Sequence, residues 1–152
     1  MNNWTSGLVA GFAATVALSA LMLMKSAMGI MPQLDLIAMM SRMMGAPGSV
    51  AIGWLVHFGI GTVAWGLLFA WLDPRLPGDS YAVRGIVFAC GAWLLMMIVL
   101  MPMAGAGFFG LGLGIMAPIM TLVLHVIFGA VLGWVYGQMV SRVPSTSLPN
   151  AG

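Results

Sequence analysis

Gly85-Ile-Val-Phe-Ala-Cys-Gly-Ala-Trp-Leu-Leu-Met-Met-Ile-Val-Leu-Met101 opens a stretch with no Asp, Glu, Lys or Arg between Arg84 and Arg142. Seventeen residues at 1.5 Å each reach about 25 Å as a helix, close to the ~30 Å of a bilayer's hydrocarbon. The run lacks the strict alternation of a membrane strand, so a helix is expected. Further along it, one polar side chain interrupts the apolar text, His125 in Met120-Thr-Leu-Val-Leu-His-Val-Ile-Phe-Gly129. A similar phrase surrounds His57, in Gly53-Trp-Leu-Val-His-Phe-Gly-Ile-Gly61.

The rest of the chain has the same character. It is 152 residues long, 62% hydrophobic and 5% charged, whereas a soluble domain carries about 25% charge. So few charges cannot clothe a water-facing surface, and lipid is the expected solvent. Four spans are expected, at about 7–24, 49–72, 85–101 and 113–139, in a single all-α bundle covering 1–141. Residues 35–44 are expected to form a short helix lying at the interface, ended by Ala46-Pro-Gly48. Residues 102–112 carry no charge and should sit at the headgroup level or dip back into the protein. The tail, 142–152, should be disordered.

Five basic and three acidic residues are too few for a nucleic-acid footprint. The single cysteine, Cys90, excludes an intrachain disulfide and reads as a packing residue. Met1 to Gly7 lacks the basic residue of a signal peptide, so the first span is expected to be retained. Arg75, Arg84 and Arg142 fall on one side and Lys25 and Arg42 on the other, which favours both termini in the cytoplasm. Trp4, Trp71, Tyr81, Trp134 and Tyr136 gather at that same edge, as an aromatic belt does.

The two halves also resemble each other. Gly7 overlies Gly85 and Gly29 overlies Gly107 at an offset of 78; His57, Gly61 and Val63 overlie His125, Gly129 and Val131 at an offset of 68. Two parallel two-span repeats are expected, related by an axis along the membrane normal.

The histidines are the candidate site. Gly53, His57, Gly61 and Trp65 share one helix face; so do Thr121, His125, Gly129, Gly133 and Gly137. Stripes of small residues mark helix–helix contacts in a bilayer, which would turn both imidazoles inward. At 1.5 Å per residue they lie about 13 Å and about 18 Å from the same side. Facing imidazoles would suit a haem b iron or another metal, with Gly61 and Gly129 leaving room for the macrocycle and Lys25 or Arg42 reaching its propionates. Such a chain would serve as a redox or accessory subunit. Hydrogen bonding across helices is the plainer role for each histidine.

Two alternatives stand beside haem. Gly7, Gly11, Gly129, Gly133 and Gly137 suit a structural subunit that associates with its own copies or a larger membrane complex through glycine faces. Sixteen methionines, with Met24, Met28, Met31, Met39, Met40, Met43, Met44, Met101, Met103 and Met116 toward the non-cytoplasmic side, suit a Cu(I) or small-solute conduit. No carboxylate lies inside a span, which disfavours a carboxylate-driven antiporter. No Ser–His–acid set or P-loop is readable, and Gly105-Ala-Gly-Phe-Phe-Gly110 lacks the preceding strand of a dinucleotide site. No enzymatic activity is expected.

Gly53-Trp-Leu-Val-His-Phe-Gly-Ile-Gly-Thr-Val-Ala-Trp-Gly66, Leu76-Pro-Gly-Asp-Ser80, Met101-Pro-Met-Ala-Gly-Ala-Gly107 and Leu122-Val-Leu-His-Val-Ile-Phe-Gly-Ala-Val-Leu-Gly133 together resemble an uncharacterised family of small four-span bacterial inner-membrane proteins. The resemblance covers nearly the whole chain. It implies a bacterial source and a multi-pass topology, and it brings no activity or ligand.

Overall fold

Small side chains decide how the first helix packs. In the computed structural model, which describes residues 3–141, α1 runs Asn3–Ala27 and buries Ser6, Gly7, Ala10, Gly11, Ala14, Thr15 and Ser19. Its large residues Val9, Phe12, Val16 and Leu23 point outward. This is inverted relative to a water-soluble helix and fits a lipid exterior, where close backbone approach drives association.

Three further helices are long and apolar enough to cross a membrane: α3 (Val50–Arg75), α4 (Tyr81–Met103) and α5 (Met116–Val140). A short helix, α2 (Leu36–Met43), precedes α3. The fold is therefore the expected all-α membrane bundle of four spans plus one short helix. The expected tail at 142–152, and Arg142, lie outside the described residues.

Hydroxyl and carboxylate side chains start three of the helices. Asp35 Oδ1 accepts from Ala38 N at 2.9 Å, Ser49 Oγ from Ile52 N at 3.4 Å and Ser80 Oγ from Val83 N at 3.3 Å. Each satisfies one of the amide donors that a helix start leaves without an intrahelical partner. Asp73 is buried and paired with Arg84 at 3.4 Å, and Arg84 Nε also donates to Gly78 O at 3.0 Å. Together these ties hold the loop between α3 and α4.

α1 lies between α3 and α5, and α4 packs along α5. Glycine sets the crossings. A Cβ on Gly7 would strike the Gly66 carbonyl, and one on Gly85 would strike the Gly129 carbonyl. A Cβ on Gly133 would meet the Tyr81 carbonyl, and one on Gly137 the Tyr81 ring. These glycine faces are packed against neighbouring helices of the same chain.

Side chains fill what the crossings leave. Phe69 of α3, Phe88 of α4 and Phe128, Leu132 and Tyr136 of α5 form one buried cluster with Ala10 and Ala14. Phe69 meets Phe88 and Tyr136 edge-on, with ring centroids 5.4 Å and 5.2 Å apart. That geometry suits the ring quadrupoles. A second cluster, Met39, Met96, Met97, Met101 and Ala106, lies between α2 and the far end of α4.

Two spans contain a widened π turn. In α4 it covers Met96–Leu100, just ahead of Pro102, whose missing N–H and ring break the regular ladder. In α3 it covers Gly59–Trp65, where two glycines, Thr62 and Val63 weaken the α-helix. The connection after α4 closes through Phe108–Leu113, with Phe109 and Gly110 in the left-handed region at φ 56° and 66°.

Candidate functional site

His57 sits at the last turn of α3 before the widened segment and is buried, with 5% of the residue exposed. Ser19 Oγ of α1 lies 3.1 Å from its Nε2. The Ser19 hydroxyl donates to Thr15 O at 2.7 Å, so its oxygen is left to accept. His57 is thus the Nε2–H tautomer, donating to Ser19. Thr15 continues the seam by donating to Gly11 O at 2.7 Å. The indole of Trp54 meets the imidazole edge-on, with centroids 5.6 Å apart. Just beyond, Thr62 Oγ1 is buried without a hydrogen-bond partner.

His125 has a different environment. Its Nδ1 lies 2.8 Å from Thr121 O, one turn back on the same helix. A carbonyl only accepts, so Nδ1 carries the hydrogen and Nε2 keeps its lone pair. Thr121 Oγ1 in turn receives the indole N–H of Trp93 at 3.1 Å.

The two imidazoles do not meet. His57 is tied to α1 through Ser19, while His125 borders a cavity that Leu18 and Met22 of α1 also line.

Haem does not fit this arrangement. The space beside Gly61 is taken by Thr15, and that beside Gly129 by Gly85 and Ala89. Neither glycine opens onto free space. Ser19 occupies the His57 Nε2 that would face an iron. Lys25, expected to reach a propionate, instead donates to three backbone carbonyls, Ile30, Met31 and Leu34, at 3.2, 3.1 and 3.0 Å. Among the described residues, no group of three or more His, Cys, Asp or Glu is placed to hold a metal.

Two features escaped the sequence reading. One is the Thr15–Ser19 seam, whose signal was the four-residue spacing of Gly11, Thr15 and Ser19 on one helix face. The other is a cleft of about 290 Å³ enclosed by the end of α1, by α2 and by the start of α3. Apolar side chains such as Leu23, Leu36 and Ile37 line it, with Lys25 and Asp35 as its charged groups and Trp54 as its aromatic one. The cleft exists because α2 folds back onto α3 where Gly53 admits it, a Cβ there striking the Ile37 carbonyl.

A family model described as a family of unknown function (DUF6789) matches residues 1–147. No curated protein and no solved structure matches the chain.

Proposed function

The chain belongs to that family of unknown function, and we propose that it is a bacterial inner-membrane protein with both termini in the cytoplasm, whose task is binding and not catalysis. Its ligand is the ammonium-bearing headgroup of a zwitterionic phospholipid, seated in the cleft between α1, α2 and α3. The cleft itself carries this reading: at about 290 Å³ it suits a headgroup and not a whole lipid. Its charges are complementary to a zwitterion. Asp35 uses Oδ1 to cap α2 and offers a carboxylate to an ammonium; Lys25 offers positive charge to a phosphate. The apolar walls continue into the lipid-facing surface, where acyl chains would lie.

The supporting topology is that of the basic residues. Arg75 and Arg84 lie on the side assigned to the cytoplasm, and the exposed Trp4, Trp71 and Trp134 share that edge. A parallel repeat is part of the same reading, motivated by Gly7 and Gly85 each crossing the helix after the next connection. Partner proteins would meet outward side chains such as Val63 and Trp134, since the glycine faces are occupied within the chain.

Lipid extraction from protein purified in mild detergent tests the proposal. Phosphatidylethanolamine should be retained at about one per chain. Asp35→Asn keeps the helix cap and should release most of it, as should Ala38→Phe, which fills the cleft. Retention unchanged in both variants, or wild-type protein free of lipid, would reject the proposal.

A further inference from the structure

Arg75 closes the second span, and its side chain does not run on into water. It folds back by one turn. Nη1 donates to Trp71 O at 3.1 Å, and the guanidinium carbon lies 5.3 Å from the centroid of the Trp71 ring. That indole is exposed on the outer surface of α3, where lipid lies. We propose that Arg75, seated on Trp71, binds the phosphate of an anionic phospholipid in the leaflet at the connection between α3 and α4.

Position comes first. An arginine at the end of a span ordinarily extends toward water, laying its stem along the apolar surface. Arg75 instead holds its charge against an outward-facing indole, at the depth where a span ends and headgroups begin. The backbone beneath it is fixed. Pro74 stiffens the tight turn Asp73–Arg75, and Leu76 N closes it onto Asp73 O at 3.2 Å. Asp73 is itself buried and paired with Arg84 of α4.

Donor capacity comes next. A guanidinium carries five N–H donors in one plane, and a single bond to Trp71 O leaves most of them for a ligand. The planar fork matches two oxygens of a phosphate. The ring under it orients that plane through a cation–π contact, so less freedom is lost on binding.

Charge selects the lipid. The ammonium of Lys25 is surrounded by three carbonyls, and Arg84 is shared between Asp73 and Gly78 O. Asp79, the other acid of the connection, is exposed and forms no ion pair with Arg75. The charge of Arg75 is therefore uncompensated. A headgroup bearing an ammonium would set a second cation beside it, whereas an anionic headgroup adds none. An acyl chain would continue along Trp71 and Leu67, one turn apart on the same face. The site lies at the opposite end of α3 from the cleft and does not rest on that reading.

Native mass spectrometry of the protein in a neutral detergent, titrated with short-chain phosphatidylglycerol or phosphatidylcholine, tests the proposal. Wild-type protein should bind the glycerol lipid about five-fold more tightly, and Arg75→Gln should abolish that preference. Arg75→Lys, which keeps the charge without the fork, should fall between the two. Trp71→Leu, which removes the platform, should weaken binding about two-fold or more. Arg42→Gln, an exposed arginine on α2 near the other end of the spans, should bind as wild type. Glycerol phosphate, the anion without chains, should not bind at the same concentration. Equal binding of the two lipids by wild-type protein overturns the proposal, as does an unchanged preference in Arg75→Gln. An equal loss in Arg42→Gln overturns it as general charge attraction, and equally tight glycerol phosphate overturns it in favour of a soluble phosphate.

Discussion

Ser19 and His57 are joined across the first and second spans by a 3.1 Å hydrogen bond that uses the outer nitrogen of the imidazole. The bond makes His57 a tether between helices. Ser19→Ala and His57→Phe should each destabilise the bundle, and the double variant should cost less than the sum of the two. A double-mutant cycle is expected to return a coupling of about 1 kcal/mol, the usual scale for such bonds in lipid. A coupling near zero would remove the tether.

Glycines at crossings should differ sharply from glycines in open positions. Gly85→Ala and Gly133→Ala drive a methyl group into the carbonyls of Gly129 and Tyr81. Overpacking of this kind costs about 1–3 kcal/mol. Gly91 has nothing within 4 Å of its Cβ direction, so Gly91→Ala should stabilise its helix by about 0.5–1 kcal/mol. Thermal unfolding in detergent orders the three variants, and a Gly133→Ala protein as stable as wild type would contradict the packing described.

Asp73 and Arg84 should respond asymmetrically. Asp73 is almost wholly buried, while Arg84 retains 29% exposure of its side chain. Arg84→Met strands a carboxylate in a dry site, whereas Asp73→Asn removes the charge that needed a partner. The arginine variant is expected to unfold at a clearly lower temperature than the asparagine variant. The reverse order would show that the pair is solvated.

Lys25 holds the connection between α1 and α2 by three carbonyls. Lys25→Met leaves those acceptors without their donor, so residues 30–34 should loosen while the spans stay folded. Faster amide exchange and new protease cleavage confined to 28–35 are the expected readouts. Unchanged protection there would mean the loop is held by other contacts.

The spans were legible because lipid imposes a length and a composition that soluble structure does not. Residues 3–27, 50–75, 81–103 and 116–140 extend the expected 7–24, 49–72, 85–101 and 113–139 at most ends, because polar residues such as Asn3 and Arg75 still continue the helical hydrogen bonds. The short helix before the second span was legible for a local reason: Asp35 caps it and no glycine or proline interrupts it. The glycine stripes were legible as contact faces, because a missing Cβ is what lets backbones approach.

The histidine site was not legible. A four-residue stripe assumes a regular α-helix, and the π turn at Gly59–Trp65 shifts every residue beyond it around the axis. Gly53, ahead of the turn, faces α2; Gly61, inside it, faces α1; and Trp65, at its end, meets Phe88 of α4 at 5.8 Å. One stripe in the text became three contacts in space.

Sequence alone determined that the chain is a four-span helical membrane bundle and which residues allow helices to touch. Transfer of apolar side chains out of water and satisfaction of backbone groups in lipid are local, additive demands that each segment meets by itself. Tertiary structure alone decided which helix lies beside which, that α1 stands between α3 and α5, and that His57 and His125 have separate neighbours. Those outcomes depend on the mutual fit of several glycine crossings and two widened turns, a collective property that no single segment encodes.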